Sequence, residues 1–250
     1  MKTHNDNIKD QFNLRASTFD HSVHWVRDPQ LIAAHVRLAG KGVGRAVELC
    51  CGTGAVARAL HAAGWDVTGV DISEGMVKEA SKYVKAVVGD VAHLPIPDQT
   101  VDLVVMRQAY FLLDNGPAVL AEVRRILKPT GRFILSHLVP YGDADANHLK
   151  KVHARKQAQM RTFHTTESLT EELRRTEFTV VDKQFVTVRE SVSLWMREAP
   201  ELSEETRQAV CELVVNAPSD YRKLRNVQVV RGEILENWNF VLLLAAPEAL

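Results

Sequence analysis

Residues 47–60, VELCCGTGAVARAL, pass from an apolar stretch of strand length through a turn bearing Gly52 and Gly54 into a segment of helical period. Glycine takes backbone angles closed to other residues and lets a ligand approach the main chain, and the helix that follows offers unpaired N–H groups at its start. Outward from this turn the alternation continues. Apolar runs of strand length occur at 46–49, 66–70, 86–88, 101–106 and 132–136, separated by segments of helical period at 55–63, 73–83 and 117–127. Such alternation specifies an α/β protein with a parallel sheet.

The flanks are less regular. Residues 1–30 are polar and mixed, 29–38 have helical spacing, 141–165 predict a polar helix, 179–192 contain two runs rich in β-branched residues, 202–215 predict a helix, and 239–246 form a last apolar run. With no repeat or linker-like tract, the expectation is one domain over 1–250, with lid elements at about 1–30, 141–166 and 192–231.

The 250 residues carry 31 Lys+Arg against 31 Asp+Glu, and 46% are hydrophobic. A chain without cationic excess is not expected to bind nucleic acid, whose affinity comes from neutralised phosphates. No stretch approaches the roughly 20 apolar residues of a membrane span. The polar start, MKTHNDNIKDQF, lacks the apolar core of a secretory signal. Cys50, Cys51 and Cys211 form an odd set without C-x-x-C spacing, which predicts no metal site and a reducing, cytoplasmic setting.

The spacing of Gly52, Gly54 and Ala57, with Asp71 ending the next strand, also fits a dinucleotide-binding fingerprint. Glu48 discriminates. A carboxylate beside the turn repels a pyrophosphate but attracts a ligand with an ammonium and a sulfonium, such as S-adenosylmethionine, whose ribose hydroxyls Asp71 can accept.

Taken in order, VELCCGTG, VTGVDIS, VVGDVAHLPIPDQTVDLVV and LAEVRRILKPTGRFILS resemble the class I S-adenosylmethionine-dependent methyltransferases, most closely the branch of ubiquinone and menaquinone biosynthesis. The resemblance spans about residues 10–137 and implies a Rossmann-like, seven-stranded, mostly parallel sheet with an antiparallel last strand and a helical lid. It implies that Glu48, Cys50, Gly52 and Gly54 surround the methionine end of the cofactor. Asp71 would hold the ribose, Ile72 and Met76 would lie against the adenine, and Asp90 and the Val91 backbone would meet its polar edge. The carbonyl of Arg107 would lie near the sulfonium. Phe19, in QFNLRASTFD, stands where the branch usually has an aromatic residue folding over the cofactor.

The chain departs from the family pattern in two places. Cys50 replaces the first glycine of D/E-x-G-x-G-x-G, which leaves a different methyl donor or carrier as an alternative. VVMRQAYFLL, residues 104–113, lacks the Asn/Asp-Pro-Pro-aromatic run that holds a planar amine, which argues against a DNA-adenine or glutamine methyltransferase. A non-catalytic ligand-binding or regulatory subunit on the same scaffold is the second alternative, and a dehydrogenase is disfavoured by Glu48.

Methyl transfer from a sulfonium to a small-molecule acceptor is an in-line displacement that needs alignment and exclusion of water more than a fixed set of catalytic groups. His137, just after RFILS, is the candidate base because it falls at the carboxyl edge of the sheet. His21 and His24 are further candidates for a base, and His24, Tyr110, Phe111 and Trp195 are candidate acceptor contacts, with Trp238 weighed beside Trp195. Residues 147–166 contain Lys150, Lys151, Arg155, Lys156 and Arg161 and no acid. Such a run suits either a solvated helix face or the guidance of an anionic acceptor.

Overall fold

The computed structural model describes residues 2–248. The chain opens with helices α1 (His4–Arg15) and α2 (Phe19–Ser22), a 3₁₀ turn at His24–Val26 and α3 (Pro29–Ala39). The alternating part follows as β1 (Arg45–Leu49), α4 (Ala55–Ala62), β2 (Asp66–Asp71), α5 (Glu74–Ala80), β3 (Lys85–Val88), β4 (Val101–Arg107), α6 (Gly116–Ile126) and β5 (Leu127–Val139). Then come α7 (Asp143–Lys156), α8 (Thr166–Arg175), β6 (Phe178–Ser191), α9 (Val192–Arg197), α10 (Glu204–Val215), α11 (Ser219–Leu224), β7 (Gln228–Val230) and β8 (Glu233–Pro247). Local chemistry sets several starts: Asp28 caps α3 ahead of Pro29, and Ser73 caps α5 through the Met76 amide.

The sheet runs β3-β2-β1-β4-β5-β8-β6, with β7 added beside β8. Strands β1 to β5 pair in parallel, whereas β8 is antiparallel to both β5 and β6. The expected mostly parallel sheet with an antiparallel last strand therefore forms, and the three-residue β7 makes an eighth strand. Two boundaries differ from expectation. The runs at 179–192 form one strand, β6, broken only by an irregular register between Val180 and Asp182. The fifth strand starts earlier than its apolar run at 132–136, since Leu127 pairs with Val101 before the register jumps to Arg132 opposite Leu103.

Both sheet faces are buried, as a parallel sheet requires. Leu103, Val105 and Ile134 pack with Leu31, Val56 and Leu60 of α3 and α4 on one side. Val104, Met106 and Leu135 pack with Leu120 and Val123 of α6 and Leu169 of α8 on the other. Strand order reverses between β1 and β4, and this leaves a crevice at their carboxyl ends where open α/β sheets hold ligands.

Candidate active site

The turn after β1 is built from three left-handed residues, Cys50 (φ 51°), Gly52 (φ 54°) and Gly54 (φ 79°). They serve different needs. A side chain on Gly52 would project towards the cavity, with only Phe19 Cε1, 3.7 Å away, near it, whereas one on Gly54 would crowd Ala80 Cβ at 3.1 Å. Gly52 thus keeps the cavity floor open and Gly54 lets the turn pack on α5, so Gly54 does not line the cavity. Cys50 holds a glycine's backbone conformation at a cost of about 1–2 kcal/mol. Its side chain lines the cavity, and burial pushes its thiol well above the usual range, so it stays protonated.

The first cavity lies over this turn and brings together Phe19, Glu48, Cys50, Gly52, Asp71, Ile72, Asp90, Val91 and Arg107. Asp71 Oδ2 accepts from the Gly52 amide and Oδ1 from the Ser73 amide, both at 2.9 Å, which fixes the carboxylate at the end of β2. Asp90 Oδ1 accepts from the Ala92 amide at 2.9 Å. Glu48 is 1% exposed, and its Oε2 accepts from the Ala57 amide at 2.7 Å. Burial raises its carboxyl to about 7, against the opposing pull of the Arg107 charge and that amide. The side chain of Arg107, as well as its backbone, belongs to the site: it stacks 5.0 Å from the Trp25 ring centroid and donates to the Val26 carbonyl at 3.3 Å. It thereby holds the 3₁₀ turn over the cavity. Met76 does not line it, being fully buried in the core.

Sequence reasoning missed the roof of this cavity, Asn5, Ile8 and Phe12 of α1. The helix is held by polar links: His4 Nε2 meets the Leu112 carbonyl at 2.7 Å, Lys9 pairs with Glu74 at 2.7 Å, and Asn13 Oδ1 accepts from Ser73 Oγ at 2.7 Å and the Gly75 amide at 2.9 Å. Thr53, also in the wall, donates to Asp20 of α2.

A second cavity adjoins the first and shares Phe12, Phe19, Trp25, Gln108 and Leu112 with it. Phe111, Trp195 and Trp238 line it, and so do Arg15, His153 and Lys156. Trp195 and Trp238 meet edge to face with centroids 4.9 Å apart. Gln108, directly after β4 and in left-handed conformation (φ 52°), accepts from the Leu138 amide at 2.6 Å and stands where the cavities meet.

His137 lies in neither cavity. It lines a small third one behind Gln108 and Phe111, its Nδ1 donating to the Leu138 carbonyl at 2.6 Å while Nε2 is buried without a partner among the described residues. Burial and the neighbouring His164 lower its imidazole to about 3. His24 is exposed beside Arg189 and Glu190, and Tyr110 is buried against His164 with its hydroxyl 3.5 Å from Glu172. Neither lines these cavities. His21 is likewise exposed, near Arg27. Of the basic run, Lys150, Lys151 and Arg155 face solvent, and Lys156 alone is buried.

The parallel sheet with its crevice over a glycine turn is the fold of class I methyltransferases. A putative methyltransferase of Bacillus halodurans superposes with a TM-score of 0.78 over 87% of this chain and 99% of its own, at 20% identity. A geranyl diphosphate C-methyltransferase of Streptomyces coelicolor, solved with S-adenosyl-L-homocysteine, does so with 0.62 over 98% and 99%, at 15% identity. Residues 47–135 match the family model described as a methyltransferase domain. A demethylmenaquinone methyltransferase of Thermotoga maritima is 35% identical over 101 residues, 38% of this chain and 44% of that protein. The match thus spans less than half of that relative's length.

Proposed function

We propose that the protein is an S-adenosylmethionine-dependent methyltransferase, with the donor in the first cavity and a small-molecule acceptor in the second. The observation that carries this reading is the contact between the two cavities, which share Gln108 and the Phe12, Phe19 and Trp25 rings at their junction. The donor's features suit the residues present. Buried Glu48 matches an ammonium, Asp71 and Asp90 match hydroxyl and amine donors, and the open face of Gly52 leaves room where any side chain would intrude. When bound, S-adenosylmethionine supplies a methyl group on a sulfonium.

The chain's own residues do the rest. Phe19, Trp25 and α1 close the junction to water, and Gln108 fixes its edge. Alignment and dehydration of this kind account for most of what an in-line transfer asks of a protein. Imidazoles held at about 3, as in His137 and His153, are poor general bases at neutral pH. Their reading here is as hydrogen-bonding neighbours of the acceptor side, and the base expected at His137 is not retained. The similarity to a demethylmenaquinone methyltransferase supports a quinone-like acceptor within this reading.

Calorimetry with S-adenosylmethionine and S-adenosylhomocysteine tests it: both bind, whereas no binding at millimolar concentration overturns it. Because Cys50 occupies a glycine position in the donor wall, a different methyl carrier is the second reading, and the same experiment separates the two.

A further inference from the structure

The second cavity has a charge that its lining does not balance. Arg15 is 5% exposed and Lys156 3%, yet both form part of its wall. They share one carboxylate: Glu201 Oε1 lies 3.8 Å from Arg15 Nη1 and 3.3 Å from Lys156 Nζ. The other polar neighbours of this group, Gln11 and Gln157, are neutral; Gln11 donates to Gln157 Oε1 at 2.9 Å and to Glu201 Oε1 at 3.3 Å. His153, one turn before Lys156, is neutral as well. With Lys156 protonated, two buried cations face a single anion, and an uncompensated buried charge is costly to keep.

Hydrogen bonding around the cavity is also incomplete. Arg15 Nε and His153 Nε2 are buried without partners among the described residues. The Arg15 guanidinium lies 5.1 Å from the Phe19 ring centroid and 5.8 Å from that of Phe12, and Lys156 Nζ lies 5.4 Å from that of Trp195. The rings orient the cations without neutralising them. Burial and the charge of Arg15 lower the Lys156 ammonium to about 7, against the pull of Glu201.

We infer that the second cavity is built for a molecule with a flat apolar body and a carboxylate, the body held among Phe111, Trp195 and Trp238 and the carboxylate received by Arg15 and Lys156. A guanidinium offers two parallel donors to a carboxylate, and an ammonium beside it adds a point charge. The carboxylate brings Arg15, Lys156 and Glu201 to electrical neutrality and gives Arg15 Nε an acceptor. The inference depends on the methyltransferase reading only in naming the ligand as the acceptor.

The test uses 2-naphthoate and its uncharged analogue 2-naphthamide, with binding followed through tryptophan fluorescence in protein saturated with S-adenosylhomocysteine. The expected result is at least tenfold tighter binding of the carboxylate by the unaltered protein, falling to within threefold in Lys156→Met and in Arg15→Met. Retained S-adenosylhomocysteine affinity in the variants shows that the donor side is intact. Equal affinity for both probes, no binding of 2-naphthoate, or a preference that survives both substitutions overturns the inference. Failure of S-adenosylhomocysteine to bind the unaltered protein overturns the methyltransferase reading instead, and the two probes are then compared without it.

Discussion

The two cavities meet at a few shared residues, yet they are charged in opposite senses and assembled in opposite ways. The donor side draws its acids, Glu48, Asp71 and Asp90, from strand ends and turns within 43 consecutive positions, 48 to 90. The acceptor side gathers Arg15, Phe111, His153, Trp195 and Trp238 from α1, the 3₁₀ turn at Tyr110–Leu112, α7, α9 and β8. The first is a local device that a sheet topology imposes on any chain with the right turn. The second exists only once distant elements have docked, and it sets two buried basic side chains, Arg15 and Lys156, beside one carboxylate, Glu201.

The contrast can be broken experimentally, and acid gives the largest effect. His153 in the second cavity, His137 in the small third one and His35 of α3 are buried, and burial lowers each imidazole to about 3. The unfolded chain binds protons at these sites from about pH 6.5 downwards while the folded chain does not. Their stabilisation is therefore complete above pH 6.5 and lost as pH falls towards 3, about 2 kcal/mol for each at pH 5. Chemical denaturation at pH 7 and pH 5 should show this loss, and His137→Gln and His153→Gln should each reduce it. A stability independent of pH over this range would refute the buried-neutral assignment.

Next in size is the donor carboxylate. Glu48→Gln removes a charge-assisted contact worth about 1.5–3 kcal/mol, so S-adenosylhomocysteine should bind roughly tenfold to a hundredfold more weakly by calorimetry. With its carboxyl raised to about 7, Glu48 is mostly protonated at pH 6 and mostly ionised at pH 8. Donor affinity in the unaltered protein should rise about tenfold over that interval, and Glu48→Gln should flatten the slope. An unchanged slope in the variant would assign the titration to another group.

Trp195→Ala sharpens the division between the sides. The ring lines only the second of the two main cavities, so 2-naphthoate affinity should fall about tenfold with donor affinity unaltered. A parallel loss of donor affinity would mean that the cavities do not behave as separate sites. The smallest effect is expected from Cys50→Gly, which relieves a left-handed non-glycine residue. Donor affinity should stay within threefold; a tenfold loss would show that the thiol itself holds the ligand.

The same contrast explains what was legible in the sequence. Glu48, Gly52, Asp71 and Asp90 were readable because each sits at a fixed offset from a strand end, where topology alone determines its surroundings. Gly54 and Met76 belong to the same motif series but serve packing, a distinction visible only in their neighbours. Lys156 was hidden among chemically identical lysines, although a signal was present. Leu149, Val152, His153 and Lys156 follow helical spacing, so one buried stripe of α7 carries the charge inward while Lys150, Lys151 and Arg155 point out. Ile8, Phe12 and Arg15 make the same pattern on α1. No spacing rule could have joined the two stripes, because their convergence depends on where α1 and α7 dock.

Helix α1 has one further consequence. It borders the first cavity with Asn5, Ile8 and Phe12 and the second with Phe12 and Arg15, and it is held to the body by hydrogen bonds, ion pairs and the packing of Phe12 on Phe19. A single cover over two compartments makes their traffic one event. Any change in how this helix sits therefore alters the solvent access of both compartments at once.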